Sequence, residues 1–330
     1  MSKKPFVSIV TPVYNGGSFI AECIESVLKQ DYNNWEYIIV NNCSTDDTLP
    51  IISSYSDREK RIKLIDNKDF VDAETNHNIA FRNISPESQY CKVVSADDWL
   101  LPGCLAKMVN LAIHYPTVGI IGSYQLSGDI IKWQGLPTDT EFITGKEAGR
   151  KSFLENLNVF GTPTSVLYRS DLIRDNDPFF PNTEPYSDTS ACFKYLQKCD
   201  FGFIHEVLSG ERIHGEQLSS RAMRLQMGII AIIDNLLEYG RYYLTGEEYE
   251  TELKKIYHEY YRYLGGCVLK LEPSEFWHYH AERQRQFGRP LSWTKIIGGA
   301  FSEIVDEIQD PKIAFLKTIE ILKKKIRITS

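Results

Sequence analysis

Short apolar runs alternate with amphipathic segments along the first hundred residues. The apolar runs are rich in Val, Ile and Tyr, and their lengths suit single β-strands. They cover residues 6–11, 35–40, 62–65 and 90–94. Between them, apolar side chains recur every three or four residues, as on a helix with one buried face. These segments cover residues 19–28, 44–55 and 73–84. The alternation predicts an α/β fold with a mostly parallel central sheet flanked by helices.

The pattern continues to about residue 220 and then changes. A helix is predicted over residues 102–114, with Pro102 near its first turn. Further strands are expected at 118–123 and 130–133, helices at 144–156 and 187–197, and extended segments at 163–168 and 201–214. From about Ala222 the chain consists of long helical patterns rich in Tyr, Leu, Lys and Glu. We therefore predict two parts, residues 1–220 and a helical C-terminal extension over residues 221–330.

Composition limits the classes of partner and location. The 330 residues are 42% hydrophobic and 25% charged, and the formal net charge is −7. An acidic chain of this kind is not expected to bind nucleic acid. No apolar stretch approaches the ~20 residues of a membrane-spanning helix, and the N-terminus lacks a signal-peptide core. The seven scattered cysteines form no Cys-x-x-Cys pair and indicate free thiols. We expect a cytoplasmic protein, or one peripheral on the inner face of the cell membrane.

Two adjacent carboxylates follow one of the predicted strands. Asp97 and Asp98 come just after the apolar pair Val93-Val94. Ligands of open α/β sheets bind at the carboxyl ends of strands, so the two carboxylates are placed at a binding edge. Like charges so close together favour a cation beside them, and a divalent metal there would hold a diphosphate. The alternative is that the pair only starts a turn and caps the next helix.

Three other charged or titratable residues accompany this pair. Arg82 lies one predicted helix upstream and is suited to contact phosphate. Asp188 stands at a predicted helix start, where an aspartate commonly serves as the N-cap. His214 follows a predicted strand, where a partly buried or surface histidine is the ordinary alternative. Taken singly, each residue has a structural explanation.

Eight segments in a fixed order resemble glycosyltransferase family 2, whose members have the GT-A fold. They are residues 7–15, 21–30, 36–48, Arg82-Asn83, 95–98, 161–169, Ser187-Asp188 and 212–219. The likeness extends over roughly residues 5–220. It implies an inverting, metal-dependent transferase that moves a sugar from a nucleotide diphosphate donor.

The resemblance also implies roles for individual residues on the donor side. Pro12, Val13 and Tyr14 would line the nucleotide pocket, and Arg82 would reach the base or the phosphates. Asp97 would lie near the ribose and the metal.

For the metal and the acceptor, the resemblance points to a second group of residues. Asp98 would be the main ligand to Mn²⁺ or Mg²⁺, and His214 would approach the diphosphate or the metal. Asp188 falls where the family places its catalytic base. Gly161, Thr162 and Thr164 would border the acceptor.

The chain departs from the family pattern at two places. Asn41-Asn42 replaces the usual Asp-Asp, and Ser95 replaces the first Asp of an Asp-x-Asp triplet. An Asn42 carbonyl can still accept a hydrogen bond from the base, so a UDP-sugar donor remains the expectation. The same departures support an alternative, a non-catalytic nucleotide- or glycan-binding module derived from this fold.

The expected partners are a nucleotide-sugar donor and a hydroxyl of a glycan or lipid-linked acceptor. At the family level this suggests bacterial surface polysaccharide synthesis. The last stretch, residues 313–328, alternates apolar residues with lysines, as in a segment lying on an anionic membrane. A solvated basic helix end or a homodimer contact is the alternative for this segment.

Overall fold

The computed structural model describes residues 4–181, 186–213 and 218–309. The chain divides into two compact units, one formed by residues 1–220 and 238–244 and the other by residues 221–237 and 245–330. The short stretch 238–244 belongs with the first unit because Tyr243 is 1% exposed there and its hydroxyl donates to the Phe193 carbonyl.

The first unit is built on a single sheet of ten strands. They are β1 (Val7–Val13), β2 (Trp35–Asn41), β3 (Ile62–Asp66), β4 (Tyr90–Val93), β5 (Trp99–Leu100), β6 (Val118–Ser127), β7 (Ile130–Lys132), β8 (Phe142–Ile143), β9 (Val166–Arg169) and β10 (Asp200–Glu211). The order across the sheet is β3-β2-β1-β4-β9-β6-β10-β5, with β7 beside β6 and β8 beside β10. Antiparallel pairing is confined to β9 and the short strands β5, β7 and β8.

Seven helices connect these strands and cover the sheet. They are α1 (Ile20–Leu28), α2 (Thr48–Ser56), α3 (Ala73–Arg82), α4 (Cys104–His114), α5 (Gly145–Leu154), α6 (Ser170–Arg174) and α7 (Ser187–Tyr195). A 3-10 turn, Pro163–Ser165, precedes β9. All residues of β2 are buried, as expected for a parallel strand with helices on both faces. The α/β fold predicted from hydrophobic periodicity is therefore confirmed.

The apolar faces of the helices explain why the sequence adopts this arrangement. Helix α1 buries Ile20, Cys23, Ile24 and Val27, which recur at helical spacing. Burial of one such aliphatic side chain contributes roughly 1.5–3 kcal/mol. Helix α3 begins after Asp72, whose carboxylate accepts the Thr75 N–H at 2.8 Å.

The remaining helices are α8 (Leu218–Arg224), α9 (Met227–Tyr243), α10 (Gly246–Leu269), α11 (Ser274–Gln286) and α12 (Trp293–Gln309). Helix α10 starts with a capping box formed by Thr245 and Glu248. Within the second unit, the fully buried His280 contacts the Tyr260 hydroxyl at 2.9 Å and the Leu225 carbonyl at 3.0 Å. Burial lowers the pKa of His280 to about 4, so this imidazole is a neutral core residue. None of the helices in the described ranges has the length and apolarity that crossing a membrane requires.

Candidate active site

The carboxylate pair lies where the parallel strands end. Strands β1, β2 and β4 run parallel, so their carboxyl ends share one edge of the sheet. Asp97 and Asp98 follow β4 at this edge. Asp98 is only 6% exposed, and Asp97 is half-buried. Burial, followed by repulsion from Asp97, raises the pKa of Asp98 to about 8. This carboxylate is therefore placed where a cation would stabilise its charged form.

Thr164 connects the carboxylate pair to the predicted acceptor side. Its hydroxyl donates to Asp98 Oδ2 at 2.6 Å, and the Ser95 N–H donates to the same hydroxyl oxygen at 3.0 Å. Thr164 is fully buried, which fixes the orientation of its hydroxyl. The structure thus brings together two residues that are 66 positions apart in the sequence.

A buried lysine holds the segment that carries Thr164. Lys92 in β4 has no exposed surface, and its ammonium donates to the Thr164 carbonyl at 2.5 Å and the Val166 carbonyl at 3.0 Å. Burial lowers the pKa of Lys92, and interactions with Cys104 and Asp98 oppose this shift. Lys92 therefore acts as a positioning residue for the 3-10 turn. Sequence reasoning did not single it out, although a lysine inside an apolar strand pattern is an unusual signal.

Two exposed aromatic rings lie at the carboxyl ends of β1 and β3. Tyr14 follows β1 and is 49% exposed, and Phe70 in the loop after β3 is 60% exposed. Their ring centroids lie 4.8 Å apart at an interplanar angle of 66°. Paired, exposed rings at a binding edge offer a surface on which a base can stack. Pro12 and Val13 are the last two residues of β1, immediately before Tyr14. They pair with Val40 and Asn41 of β2. Phe70 was missed because the loop around it has no periodicity.

Asn42 has a structural task in the loop that carries Phe70. Its Oδ1 accepts the Val71 N–H at 3.0 Å and the Asn67 side-chain N–H at 3.2 Å, and its Nδ2 donates to the Val71 carbonyl at 2.8 Å. The Asn42 side chain is 2% exposed. These bonds fix the loop under Tyr14. The hydrogen bond that the Asn42 carbonyl is predicted to accept from a base would compete with the two that its Oδ1 already accepts.

Arg82 is the last residue of α3. Its guanidinium forms an ion pair with Asp177, with Nε at 2.9 and 3.0 Å from the two carboxylate oxygens. At a rise of 1.5 Å per residue, Arg82 is about 9 Å farther along α3 than Asn76. Asn76 is an α3 residue that contacts the end of β2 and the loop after β3, through Val40 and Asn67. In this arrangement Asp177 engages the Arg82 guanidinium, and a contact between Arg82 and the base or the phosphates stays a prediction.

Asp188 occupies the first turn of α7 and is half-buried. Burial raises the pKa of Asp188 to about 6, while the Thr189 N–H, 2.8 Å from Oδ1, opposes the shift. Burial raises the pKa of Tyr168 in β9, and the charge of Asp188 adds to this shift. Tyr168 pairs with Cys91 of β4. A carboxylate with a pKa near neutrality is suited to accept a proton.

His214 lies outside the described residues. The described chain before it ends at Ile213. Just upstream, β10 pairs with β5 through Gly210 and Trp99. Beyond β10, the guanidinium of Arg212 lies over the rings of Phe19 and Trp99 and forms an ion pair with Glu22. The Arg212 backbone N–H interacts with Asp98. The β10 terminus therefore leads to the carboxylate pair.

The predicted acceptor-side residues form a tight turn. Gly161 has φ +67°, and a Cβ there would lie 1.9 Å from the Ser165 hydroxyl, so only glycine fits. The Thr162 hydroxyl donates to Gln125 Oε1 at 2.9 Å. Thr162 and Thr164 thus face different partners, Gln125 in β6 and Asp98 after β4.

The carboxylate oxygens of Asp97 and Asp98 are suitable ligands for a hard divalent cation. Mg²⁺ is commonly held by one or two protein carboxylates together with substrate phosphates and water, and Mn²⁺ has similar preferences. In the described parts of the chain, no group of three or more His, Cys, Asp or Glu residues is placed to hold a metal. For a cation at this pair, the oxygens of a bound phosphate and water would supply the remaining ligands.

This fold is that of the GT-A glycosyltransferases. Residues 8–176 match the model of glycosyl transferase family 2, and the chain belongs to that family. The resemblance based on eight sequence segments is thereby confirmed.

Several relatives and solved structures are similar to the chain. An uncharacterized glycosyltransferase of Haemophilus influenzae is 31% identical over 230 residues, covering 67% of this chain and 84% of that protein. TuaG of Bacillus subtilis, a candidate teichuronic acid biosynthesis glycosyltransferase, is 26% identical and covers 66% of this chain and 82% of its own. The structure of S. aureus TarS 1-349 with UDP-GlcNAc has a TM-score of 0.61 at 19% identity, covering 82% of this chain and 77% of that one. The mannosyltransferase PcManGT from Pyrobaculum calidifontis, with GDP-Man and Mn²⁺, has a TM-score of 0.55 at 14% identity, covering 93% and 89%.

Proposed function

We propose that this glycosyltransferase transfers a sugar from a UDP-sugar to a hydroxyl of a glycan or lipid-linked acceptor, with inversion at the anomeric carbon. The observation that carries the proposal is the hydrogen bond between Thr164 and the buried Asp98. It joins the carboxylate pair to the turn expected on the acceptor side, which supports a site where both substrates would meet at one edge of the sheet. Similarity to TuaG supports a role in bacterial polysaccharide synthesis.

Asp97 and Asp98 would hold Mn²⁺ or Mg²⁺, with His214 as a further ligand. When bound, the cation would neutralise negative charge that develops on the departing diphosphate. The buried position and raised pKa of Asp98 support this role, because a carboxylate in that environment gains most from a nearby cation.

Tyr14 and Phe70 would stack on the uracil base, with Pro12 and Val13 forming the strand end beneath it. UDP and UDP-GlcNAc in the TarS structures support a uridine donor. GDP-Man in PcManGT supports a different nucleotide, which makes the donor an experimental question. The stacked contact carries no base selectivity, since every base has an aromatic face.

Asp188 would remove the proton from the acceptor hydroxyl. The hydroxyl oxygen then forms a bond to the anomeric carbon from the face opposite the diphosphate, and the bond between that carbon and the diphosphate oxygen breaks. The proton remains on Asp188, and the nucleoside diphosphate leaves with the bonding electrons. A single displacement of this kind inverts the anomeric configuration.

A lipid-linked acceptor calls for contact with a membrane, and one helix offers a suitable surface. Helix α12 exposes an apolar face at intervals of three and four residues, consisting of Trp293, Ile297, Phe301, Ile304 and Val305. The lysine-rich segment 313–330 follows it in sequence and lies outside the described residues. An apolar face followed by basic residues matches an anionic bilayer surface, and we assign this role to α12 with the C-terminal segment.

The donor is tested by release of nucleoside diphosphate from UDP-glucose, UDP-galactose, UDP-GlcNAc and GDP-mannose, each with Mn²⁺ and with EDTA. Turnover of a UDP-sugar that stops with EDTA supports the proposal. Preference for GDP-mannose would replace the uridine assignment and leave the transferase assignment in place. No turnover or binding of any donor would favour the non-catalytic module.

A further inference from the structure

A cavity of about 640 Å³ lies beside the acceptor-side turn, in the first unit. One wall is the segment 131–135, which includes Trp133, and the other contains Asn156 and Asn158. The volume falls within the roughly 300–1,000 Å³ of small-molecule sites. We name this cavity the Trp133 pocket.

The walls are held in place by backbone packing and unusual backbone angles. A Cβ on Gly135 would lie 2.6 Å from the Asn158 nitrogen, so the two walls are in direct contact at this position. Trp133 has φ +70° and Asn156 has φ +53°. Positive φ is tolerated by asparagine but is uncommon for tryptophan, and such angles persist where the surrounding structure enforces them. The backbone of both walls is therefore constrained by the structure around it.

Gln125 links the pocket to the reaction site. Its Oε1 accepts the Trp133 indole N–H at 2.9 Å and the Thr162 hydroxyl at 2.9 Å. Its Nε2 is buried and has no hydrogen-bond partner among the described residues. Gln125 therefore stands between the Trp133 pocket and the turn whose Thr164 bonds Asp98. A ligand in this pocket would lie on the acceptor side of the site.

The lining indicates a neutral, hydroxyl-rich ligand. Trp133 is half-buried and offers a flat apolar surface, while Gln134, Asn156 and Asn158 are exposed amides. Each amide offers both donors and an acceptor, which suits pairs of hydroxyl groups. Lys132 carries the one charge among the lining residues that the structure describes, and it forms an ion pair with Glu211. No lining charge is left over for an anionic group.

We propose that the Trp133 pocket binds a neutral sugar unit of the acceptor, next to the unit whose hydroxyl is glycosylated. This inference rests on the proposed function, and it specifies the acceptor as a saccharide recognised over more than one residue. An aromatic face would pack on the apolar face of the sugar ring, and the amides would pair with its hydroxyls.

The test is NMR of the protein labelled with ¹⁵N-tryptophan, which gives indole signals for five tryptophans. The Trp133 signal is the one missing from Trp133→Phe. The probes are maltose, cellobiose, lactose and N,N′-diacetylchitobiose, with glucuronate and octyl phosphate as anionic and lipid-like comparators. We expect at least one neutral disaccharide to shift the Trp133 signal. Asn158→Ala should weaken that binding by roughly 2–10-fold, whereas Trp293→Ala, an exposed tryptophan in the second unit, should leave it unchanged.

The inference is overturned if no disaccharide shifts the Trp133 signal, if octyl phosphate or glucuronate shifts it instead, or if Asn158→Ala has no effect. Titration of the same samples with UDP and Mn²⁺ separates the two proposals. If UDP binds and no saccharide shifts the Trp133 signal, only the pocket proposal is excluded. Saccharide binding at Trp133 without UDP binding excludes the UDP-sugar donor and leaves the pocket as a saccharide site.

Discussion

Thr164 donates its hydroxyl proton to Asp98 across 2.6 Å, and both side chains are buried. Asp98 follows the central strand β4, whereas Thr164 belongs to the turn before β9. The antiparallel pairing of β4 with β9 brings the two together. The proposed metal site and the proposed acceptor-side turn are therefore joined by one hydrogen bond.

Replacement of Thr164 tests this shared bond. Thr164→Val keeps the shape of the side chain but removes the donor, which leaves Asp98 Oδ2 without this partner. We expect the concentration of Mn²⁺ needed for half-maximal activity to rise by roughly tenfold, since a lost bond to a charged group is worth about 1.5–3 kcal/mol. Thr164→Ser retains the hydroxyl and should stay close to wild type. Equal Mn²⁺ requirements for both variants would show that the bond does not support the metal site.

The assignment of Asp188 as base predicts a specific pH profile. Because burial raises the pKa of Asp188 to about 6, the deprotonated form is present above that pH and is lost as pH falls through it. The rate should therefore fall on the acidic side near pH 6. Asp188→Asn should lower the rate by about 10²–10⁴-fold with donor affinity retained.

The matched control for this substitution is Asp175→Asn, which makes the same chemical change at an exposed position after α6. It should preserve both rate and pH profile. A near-normal rate for Asp188→Asn, or an unchanged acidic limb, would exclude Asp188 as the base.

The aromatic pair predicts how nucleotide affinity depends on ring stacking. Tyr14→Ala should weaken UDP binding by about tenfold or more, because stacking on a base is worth roughly 1–3 kcal/mol. Phe70→Ala should have a smaller effect in the same direction, since Phe70 supports Tyr14 edge-on. Phe70→Tyr keeps the ring and is the control. Calorimetric UDP titrations measure all three, and wild-type affinity in Tyr14→Ala would place the base elsewhere.

The apolar face of α12 predicts binding to anionic vesicles. Phe301→Glu places a charge at a side chain that is 69% exposed, and it should reduce pelleting with phosphatidylglycerol vesicles. Removal of residues 313–330 should reduce vesicle pelleting further and abolish the dependence of pelleting on salt. Leu271→Glu is the control, an equally apolar and 87% exposed side chain outside α12. A wild-type dimer that Phe301→Glu dissociates, without vesicle binding, would instead identify this face as a homodimer contact.

Periodicity was enough to predict the longer strands and helices of the first unit, because each of them buries a regular set of side chains. The two-residue strands β5 and β8 and the five-residue helix α6 were not predicted, because they are too short to show a period. The position of Asp97 and Asp98 also followed from the strand before them. Thr164 reaches Asp98 only through the pairing of β4 with β9, a long-range contact that residue spacing does not encode. Arg82 was assigned to the nucleotide from a short motif; its guanidinium pairs with Asp177, a partner that the motif does not indicate, and its role toward a nucleotide stays a prediction. Phe70 lies in a loop whose conformation depends on three bonds to Asn42.

The central claim is that Asp98 holds a divalent cation which in turn holds a uridine diphosphate. Calorimetry of UDP binding, with Mn²⁺ and with EDTA, to wild type and Asp98→Asn tests it most directly, with dTDP, GDP and CMP titrated alongside. We predict binding of UDP to wild type with Mn²⁺, and a loss of that binding with EDTA and in Asp98→Asn. UDP binding of equal strength under all these conditions would contradict the metal site, and failure of every nucleotide to bind would contradict the assignment as a nucleotide-sugar transferase.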